Sequence, residues 1–155
     1  MRFDVLVVCD TNVVISALLW DGPTSAIHRA WVEGICSLTL DETILAEYRR
    51  VLSYPKFGLS PADVNFLLEN EVIPFGIMVR ESDLPLGSWI PDDPEDDAFI
   101  RLALAAKADA LVSGDRHILA RRDNLPCRIL TVAEFLEFVS SYLRLNQEDN
   151  RKDRR

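Results

Sequence analysis

The chain has 155 residues, with 17 Lys plus Arg against 25 Asp plus Glu and a formal net charge of −8. With 48% hydrophobic and 27% charged residues it has the length and composition of one globular domain, which excludes a disordered chain. The acidic balance excludes a protein that coats nucleic acid through a broad basic surface, but not a nuclease that meets its substrate through bound metal ions.

The run 3–9, rich in Val and Leu, predicts a strand buried on both faces. Helical patterns follow over 13–19 and 24–32, separated by Gly22-Pro23. A second strand is expected at 35–40. Asp41 suits the N-cap of a helix reaching about residue 52, with Glu42 in its first turn and Arg49 and Arg50 in its last. Tyr54-Pro55 ends it. Ser60 caps the next helix, with Pro61 at its first position, and that helix runs to 71. Residues 73–80 predict a third strand, although Pro74 and Gly76 count against it, and a loop covers 81–92. Asp93-Pro94-Glu95-Asp96 has the form of a helix start, continuing to about 107. A fourth strand at 110–113 leads through Gly114-Asp115 into a short helix ending at 121. A fifth strand is expected at 127–130, and Thr131 caps a final helix over 132–143. Residues 146–155 lack apolar periodicity and are expected to form a flexible polar tail, leaving 1–145 as a single domain.

This alternation predicts an α/β fold: a three-layer α/β/α sandwich with a central, mostly parallel five-stranded sheet. Right-handed crossovers then bring the carboxyl ends of the strands to one edge, where ligand chemistry collects. Cys9, Cys36 and Cys127 are odd in number and widely spaced, with no C-x-x-C pair and no disulfide framework. Each lies in or beside an apolar run, so buried thiols in a reducing cytosol are expected. Asp10-Thr11-Asn12 interrupts the apolar stretch 5–20, making it a poor signal peptide. No run reaches the roughly 18–20 apolar residues of a spanning helix. A cytoplasmic protein without membrane contact is the expectation.

Acidic residues gather at the predicted strand ends. Asp10 ends the first strand and Asp115 follows the fourth, while Asp93, Asp96 and Asp97 open a helix near the same edge. Glu47 falls on the margin of the buried stripe formed by Ile44, Leu45, Tyr48, Val51 and Leu52. Each acid has an ordinary explanation as a cap, a first-turn acid or a partner of Arg49 or Arg50. Those explanations do not account for several acids meeting at one edge with no base placed to pair with them all. Clustered carboxylates raise one another's pKa unless a cation neutralises them, and Mg²⁺ or Mn²⁺ is the oxygen-seeking cation that suits them.

In order and spacing these segments resemble a PIN domain, close to the VapC-type toxins of toxin–antitoxin systems. The segments are Asp10-Thr11-Asn12 after a buried strand, Glu47 in the helix ending Leu52-Ser53-Tyr54-Pro55-Lys56-Phe57, Asp93-Pro94-Glu95-Asp96-Asp97-Ala98-Phe99, Ser113-Gly114-Asp115, and the closing strand and helix over 129–138. The resemblance implies an endoribonuclease that uses Mg²⁺ or Mn²⁺ to hydrolyse RNA phosphodiester bonds, paired with an antitoxin protein and forming a homodimer or higher homo-oligomer. It implies Asp10, Glu47, Asp97 and Asp115 as catalytic and metal-binding acids. Asp97 is preferred to Asp96 because it precedes Ile100 by three residues in a D-x-x-I/L frame. Asp96 is then a first-turn acid or a support for the site, and Asn12 and Ser113 are polar residues that orient a carboxylate, water or phosphate.

Arg116, Arg121 and Arg122 follow Asp115 and are candidates for holding RNA phosphates; a solvated helix face is an equal explanation. His28 and His117 read as surface residues, and Trp20, Trp31 and Trp89 as packing or, less simply, base-stacking residues. Two other classes compete with a toxin nuclease: a catalytically silent protein-binding module, and a housekeeping RNA-processing nuclease. An aspartyl phosphotransferase usually needs D-x-D, where this chain has Asp10-Thr11-Asn12, and no G-x-G-x-x-G supports dinucleotide binding.

Overall fold

The computed structural model describes residues 5–90 and 92–154. Among them, strands β1 (Leu6–Cys9), β2 (Ser37–Leu40), β3 (Gly76–Met78), β4 (Ala110–Val112) and β5 (Ile129–Leu130) form one sheet in the order β3-β2-β1-β4-β5. Every pairing is parallel. Helices α1 (Thr11–Leu19), α2 (Ser25–Val32), α3 (Glu42–Leu52), α4 (Pro61–Glu71), α5 (Pro94–Ala106), α6 (Arg116–Ala120) and α7 (Val132–Lys152) surround it, giving the expected three-layer α/β/α architecture. The expected start of the first strand at Phe3 lies outside the described residues.

The central strands are apolar on both faces because both faces are covered: Val7, Val8, Cys9, Leu38, Leu40, Leu111 and Val112 are wholly buried. α5 packs on β1, β2 and β4, and α7 on β4 and β5. The third strand is shorter than its pattern suggests. Ile73–Phe75 forms a 3₁₀ turn instead, since Pro74 has no N–H to give to a ladder. Gly76 then pairs with Leu38 on β2, and a Cβ at this position would collide with the Leu40 side chain.

The helix starts follow their sequence signals. The Asp41 carboxylate accepts the Ile44 N–H at 2.7 Å, and Ser60 with Asp63 and Thr131 with Glu134 form reciprocal capping boxes. The tail differs from expectation: α7 continues to Lys152, with every residue described from Leu143 onward exposed. No Gly or Pro follows Thr131 to stop the helix, and Glu148 precedes Lys152 by one helical turn, which favours continuation. Because this extension buries nothing, deleting residues 146–155 is expected to change stability by less than about 0.5 kcal/mol. A thermal melt of the shortened chain checks this.

The chain order decides where chemistry can collect. From β1 the connections run outward through β2 to β3, then return to the other side of β1 for β4 and β5. The direction reverses between β1 and β4, and a crevice opens at the carboxyl ends of such a pair.

Candidate active site

Asp10 and Asp115 flank that switch point. The Asp10 N–H donates to the Val112 carbonyl at 3.0 Å, carrying the β1–β4 ladder one residue past the strand. Asp10 Oδ1 accepts the Val13 N–H at 3.0 Å and so caps α1. Its Oδ2 accepts the hydroxyl of Ser113, which is fully buried; Ser113 Oγ in turn accepts the Asp115 N–H at 3.0 Å. Asp115 Oδ1 caps α6 through the His117 and Ile118 N–H groups, at 2.7 and 3.4 Å. Capping is therefore real for both acids. It also fixes both carboxylates beside one crevice, with the Ser113 hydroxyl linking the Asp10 carboxylate to the Asp115 backbone N–H.

The first turn of α5 faces two ways, because consecutive helical residues are about 100° apart. Asp93 caps the helix, its Oδ1 accepting the Glu95 and Asp96 N–H groups, both at 3.2 Å. Asp96 faces a hollow of about 290 Å³ shared with Asp10, Glu47, Asp93 and Asp115. Asp97 faces the other way. Its Oδ1 accepts the Trp89 and Ile90 N–H groups at 2.8 and 2.7 Å, and its Oδ2 accepts the Ser88 hydroxyl at 2.8 Å. This corrects the choice of Asp97 as the site acid. Its carboxylate ties the 88–90 segment to α5, and Asp96 takes the place in the hollow. The D-x-x-I/L spacing has no bearing on which of two adjacent acids points inward.

Glu47 reaches the hollow because its neighbour anchors α3: the buried Tyr48 hydroxyl donates to the Cys9 carbonyl at 2.5 Å, at the end of β1. The Glu47 carboxylate is engaged by Arg50 at 2.9 Å, and Arg50 also reaches Glu95 at 3.3 Å and the Tyr54 hydroxyl at 2.5 Å. Arg50, Lys56, Tyr54 and Phe57 line the same hollow, as do Thr11 and the exposed Asn12. Thr11, Lys56 and Tyr54 carry no sequence signal that marks them for this site.

Electrostatics set Asp96 apart. Burial, then the Asp93 carboxylate through its charge and a hydrogen bond that favours the protonated form, then the charges of Asp115 and Asp10, push its pKa from 3.8 up to about 7. Burial also raises Asp10, opposed by its bonds from Ser113 and Val13, with Asp115 raising it further. Asp97 goes the other way: burial would raise it, but the Ile90, Ser88 and Trp89 donors and Arg101 bring it below the ordinary range.

The donor set fits a hard divalent cation. It consists of carboxylate and hydroxyl oxygens, and two buried side-chain oxygens in it, Asp96 Oδ2 and Thr11 Oγ1, have no hydrogen-bond partner. Among the described residues no group of three or more His, Cys, Asp or Glu side chains stands close enough together, as the chain is folded here, to hold a metal ion.

The remaining candidates lie elsewhere. Arg122 pairs with Glu134 at 2.8 Å across to α7, and Arg116 and Arg121 are exposed; none of the three lines the hollow. His117 is exposed on α6, and His28 bonds Glu71 at 2.9 Å. Trp31 is buried with its indole N–H on the Glu71 carbonyl at 2.8 Å, Trp89 is half-buried, and Trp20 is 54% exposed. Cys9 and Cys36 are buried free thiols, as expected, whereas Cys127 is only half-buried. Burial raises Cys9 well above its usual range and Cys36 to about 12, so neither is a nucleophile. No described helix is long and apolar enough to cross a membrane.

No curated protein matches the chain. Among solved structures it is similar to the PIN domain of T. brucei RRP44, at 16% identity and a TM-score of 0.46, covering 95% of this chain and 86% of that one. Residues 6–117, more than half of the chain, match the sequence profile of the PIN domain. The chain belongs to the PIN domain family, whose members are typically nucleases.

Proposed function

We propose that this protein is a divalent-metal-dependent endoribonuclease that hydrolyses RNA phosphodiester bonds at the acidic hollow. The observation that carries the reading is the pair of unpartnered buried oxygens, Asp96 Oδ2 and Thr11 Oγ1, in a crevice shared with Asp10 and Asp115. Membership of a family whose nucleases generally use divalent ions supports it. Asp10, Asp96 and Asp115 would hold Mg²⁺ or Mn²⁺, joined by Glu47 once Arg50 releases it. When bound, such an ion lowers the pKa of water and offsets charge on a phosphate.

The chain's own residues supply the rest. Ser113 keeps the Asp10 carboxylate aimed into the crevice and ties it to the Asp115 backbone. Asn12 offers an amide donor for a phosphate oxygen at the mouth. Arg50 and Lys56 put positive charge on the rim, the role first given to Arg116, Arg121 and Arg122. In this reading Asp97 holds the scaffold and touches no substrate. Ser113→Ala is expected to weaken Mn²⁺ binding about 10- to 100-fold, since groups that orient a ligand matter nearly as much as the ligand itself. Calorimetric titration of the two proteins measures it.

The toxin role, an antitoxin partner and self-association belong to the same proposal, on the likeness to VapC-type chains in the quoted motifs. Expression should then arrest growth, and co-expression of a small protein encoded beside the gene should relieve the arrest. Unaffected growth with an active purified enzyme would move the role to housekeeping RNA processing. Cleavage itself is tested with purified protein on a mixed RNA pool: cutting with Mg²⁺ or Mn²⁺ and none with EDTA is expected, and metal binding without cleavage of any RNA would leave a silent binding module.

A further inference from the structure

Between the acidic hollow and a second hollow stands an exposed aromatic ridge. Trp20 ends α1, the helix that Asp10 begins, so it lies about 14 Å along that helix from the acids. The residue is 54% exposed and its ring leans on Phe57, with centroids 5.7 Å apart and planes at 57°. Phe57 lines the acidic hollow, and the Lys56 ammonium lies 5.1 Å from its ring centroid. Among the described residues Lys56 has no carboxylate within ion-pair distance. Trp20 also lines a hollow of about 370 Å³ with Asp21, Ser25, His28 and Arg29.

An indole held by a second ring and facing water, with Lys56 over that ring and Arg29 in the adjoining hollow, neither in an ion pair among the described residues, has the composition of a single-strand nucleic-acid platform. Its place on a line from the carboxylates gives it a specific use. We propose that Trp20 stacks an unpaired base of single-stranded RNA a short run of nucleotides from the cleaved phosphate. Phe57 buttresses the indole, and Lys56 and Arg29 contact the phosphates on its two sides. This rests on the ribonuclease reading and adds to it a base contact at that position. A duplex would hold its bases away from the indole.

The test uses Trp emission with no divalent metal, so that RNA is bound and not cut. The probes are a single-stranded RNA decamer, the same decamer in a duplex, and an abasic sugar-phosphate strand. The decamer is expected to quench wild-type emission to saturation. Trp20→Leu should lose the quench and bind about 10- to 100-fold more weakly, while Trp89→Phe keeps both. The abasic strand should bind wild type about as weakly as the decamer binds Trp20→Leu, and the duplex should not quench. With Mg²⁺ added, Trp20→Leu should raise KM by a similar factor and leave kcat within about twofold. Because Trp20 is exposed, its loss leaves the core intact, which a thermal melt verifies. Equal decamer affinity and KM in wild type and Trp20→Leu, with RNA still cleaved, would overturn the proposal and leave the ribonuclease reading standing. Emission that changes with protein concentration alone would also overturn it, making Trp20 a contact between copies. Neither binding nor cleavage by wild type would sink both, whereas base-dependent quenching without cleavage would sink the hydrolysis alone.

Discussion

Asp96→Asn is expected to abolish RNA cleavage, by about 100-fold or more, and to make the metal-free protein more stable. The two effects have one cause. Asp96 carries a carboxylate oxygen that no protein donor satisfies, among carboxylates that disfavour its charge. An amide removes the charge that a cation needs and the repulsion that the fold tolerates without one. The sign follows from its raised pKa: a carboxyl that holds its proton more tightly when folded adds stability at low pH and loses it as pH rises from about 4 to about 7. Asp10 and Asp41, also raised by burial, contribute in the same direction. Wild-type stability should therefore fall across that window in EDTA, and less steeply in Asp96→Asn. Asp96 is partly open to water, so screening reduces the gain to on the order of 1–2 kcal/mol at pH 8. That corresponds to a midpoint roughly 2–8 °C higher. Added Mn²⁺ should reverse the order by stabilising wild type and not the variant. A variant melting below wild type in EDTA would show that Asp96 is satisfied within the fold.

Asp97→Ala is expected to do the opposite, destabilising the protein by about 2–5 kcal/mol. Its carboxylate is the acceptor for three donors, two of them backbone N–H groups, and that of Ile90 is buried. Deleting it leaves those donors without a partner and frees the 88–90 segment from α5. Asp97→Asn keeps one accepting oxygen and should fall between the two. Since the folded carboxylate titrates below its ordinary range, its contribution is present at neutral pH and lost as pH falls through the acid range. Urea unfolding at pH 7 and pH 3 measures this, with the gap between wild type and Asp97→Ala expected to narrow at the lower pH. An Asp97→Ala protein as stable as wild type but inactive would return Asp97 to the reacting centre.

These two neighbours show where sequence reasoning stops. The strand–helix alternation, the caps at Asp41, Ser60, Asp93 and Thr131, and the meeting of Asp10 with Asp115 were legible, because periodicity, capping chemistry and crossover handedness are local or topological rules. The facing of Asp96 against Asp97 was not. Both are acids in the first turn of one helix, and only the path of the 88–90 segment, which follows no periodic rule, determines which one is tied down. The same holds for the arginines after Asp115. Arg122 is claimed by Glu134, a residue whose position depends on how α7 docks. Lys56 and Phe57 reach the site because a 3₁₀ turn ending at Gly58, with φ +65°, folds them back toward the acids. The length of α7 was hidden for another reason: an exposed helix has no apolar stripe to announce it.

In the proposed function a divalent ion held by Asp10, Asp96 and Asp115 lets this PIN domain cut RNA. This is tested most directly by cleavage of one RNA pool by wild type, Asp96→Asn and Asp97→Asn, each with Mn²⁺ or EDTA, at a temperature where all three are folded. Metal-dependent cutting is expected from wild type, most of it retained in Asp97→Asn, and none in Asp96→Asn. Undiminished cleavage by Asp96→Asn, or wild-type cleavage that persists in EDTA, would contradict the proposed function.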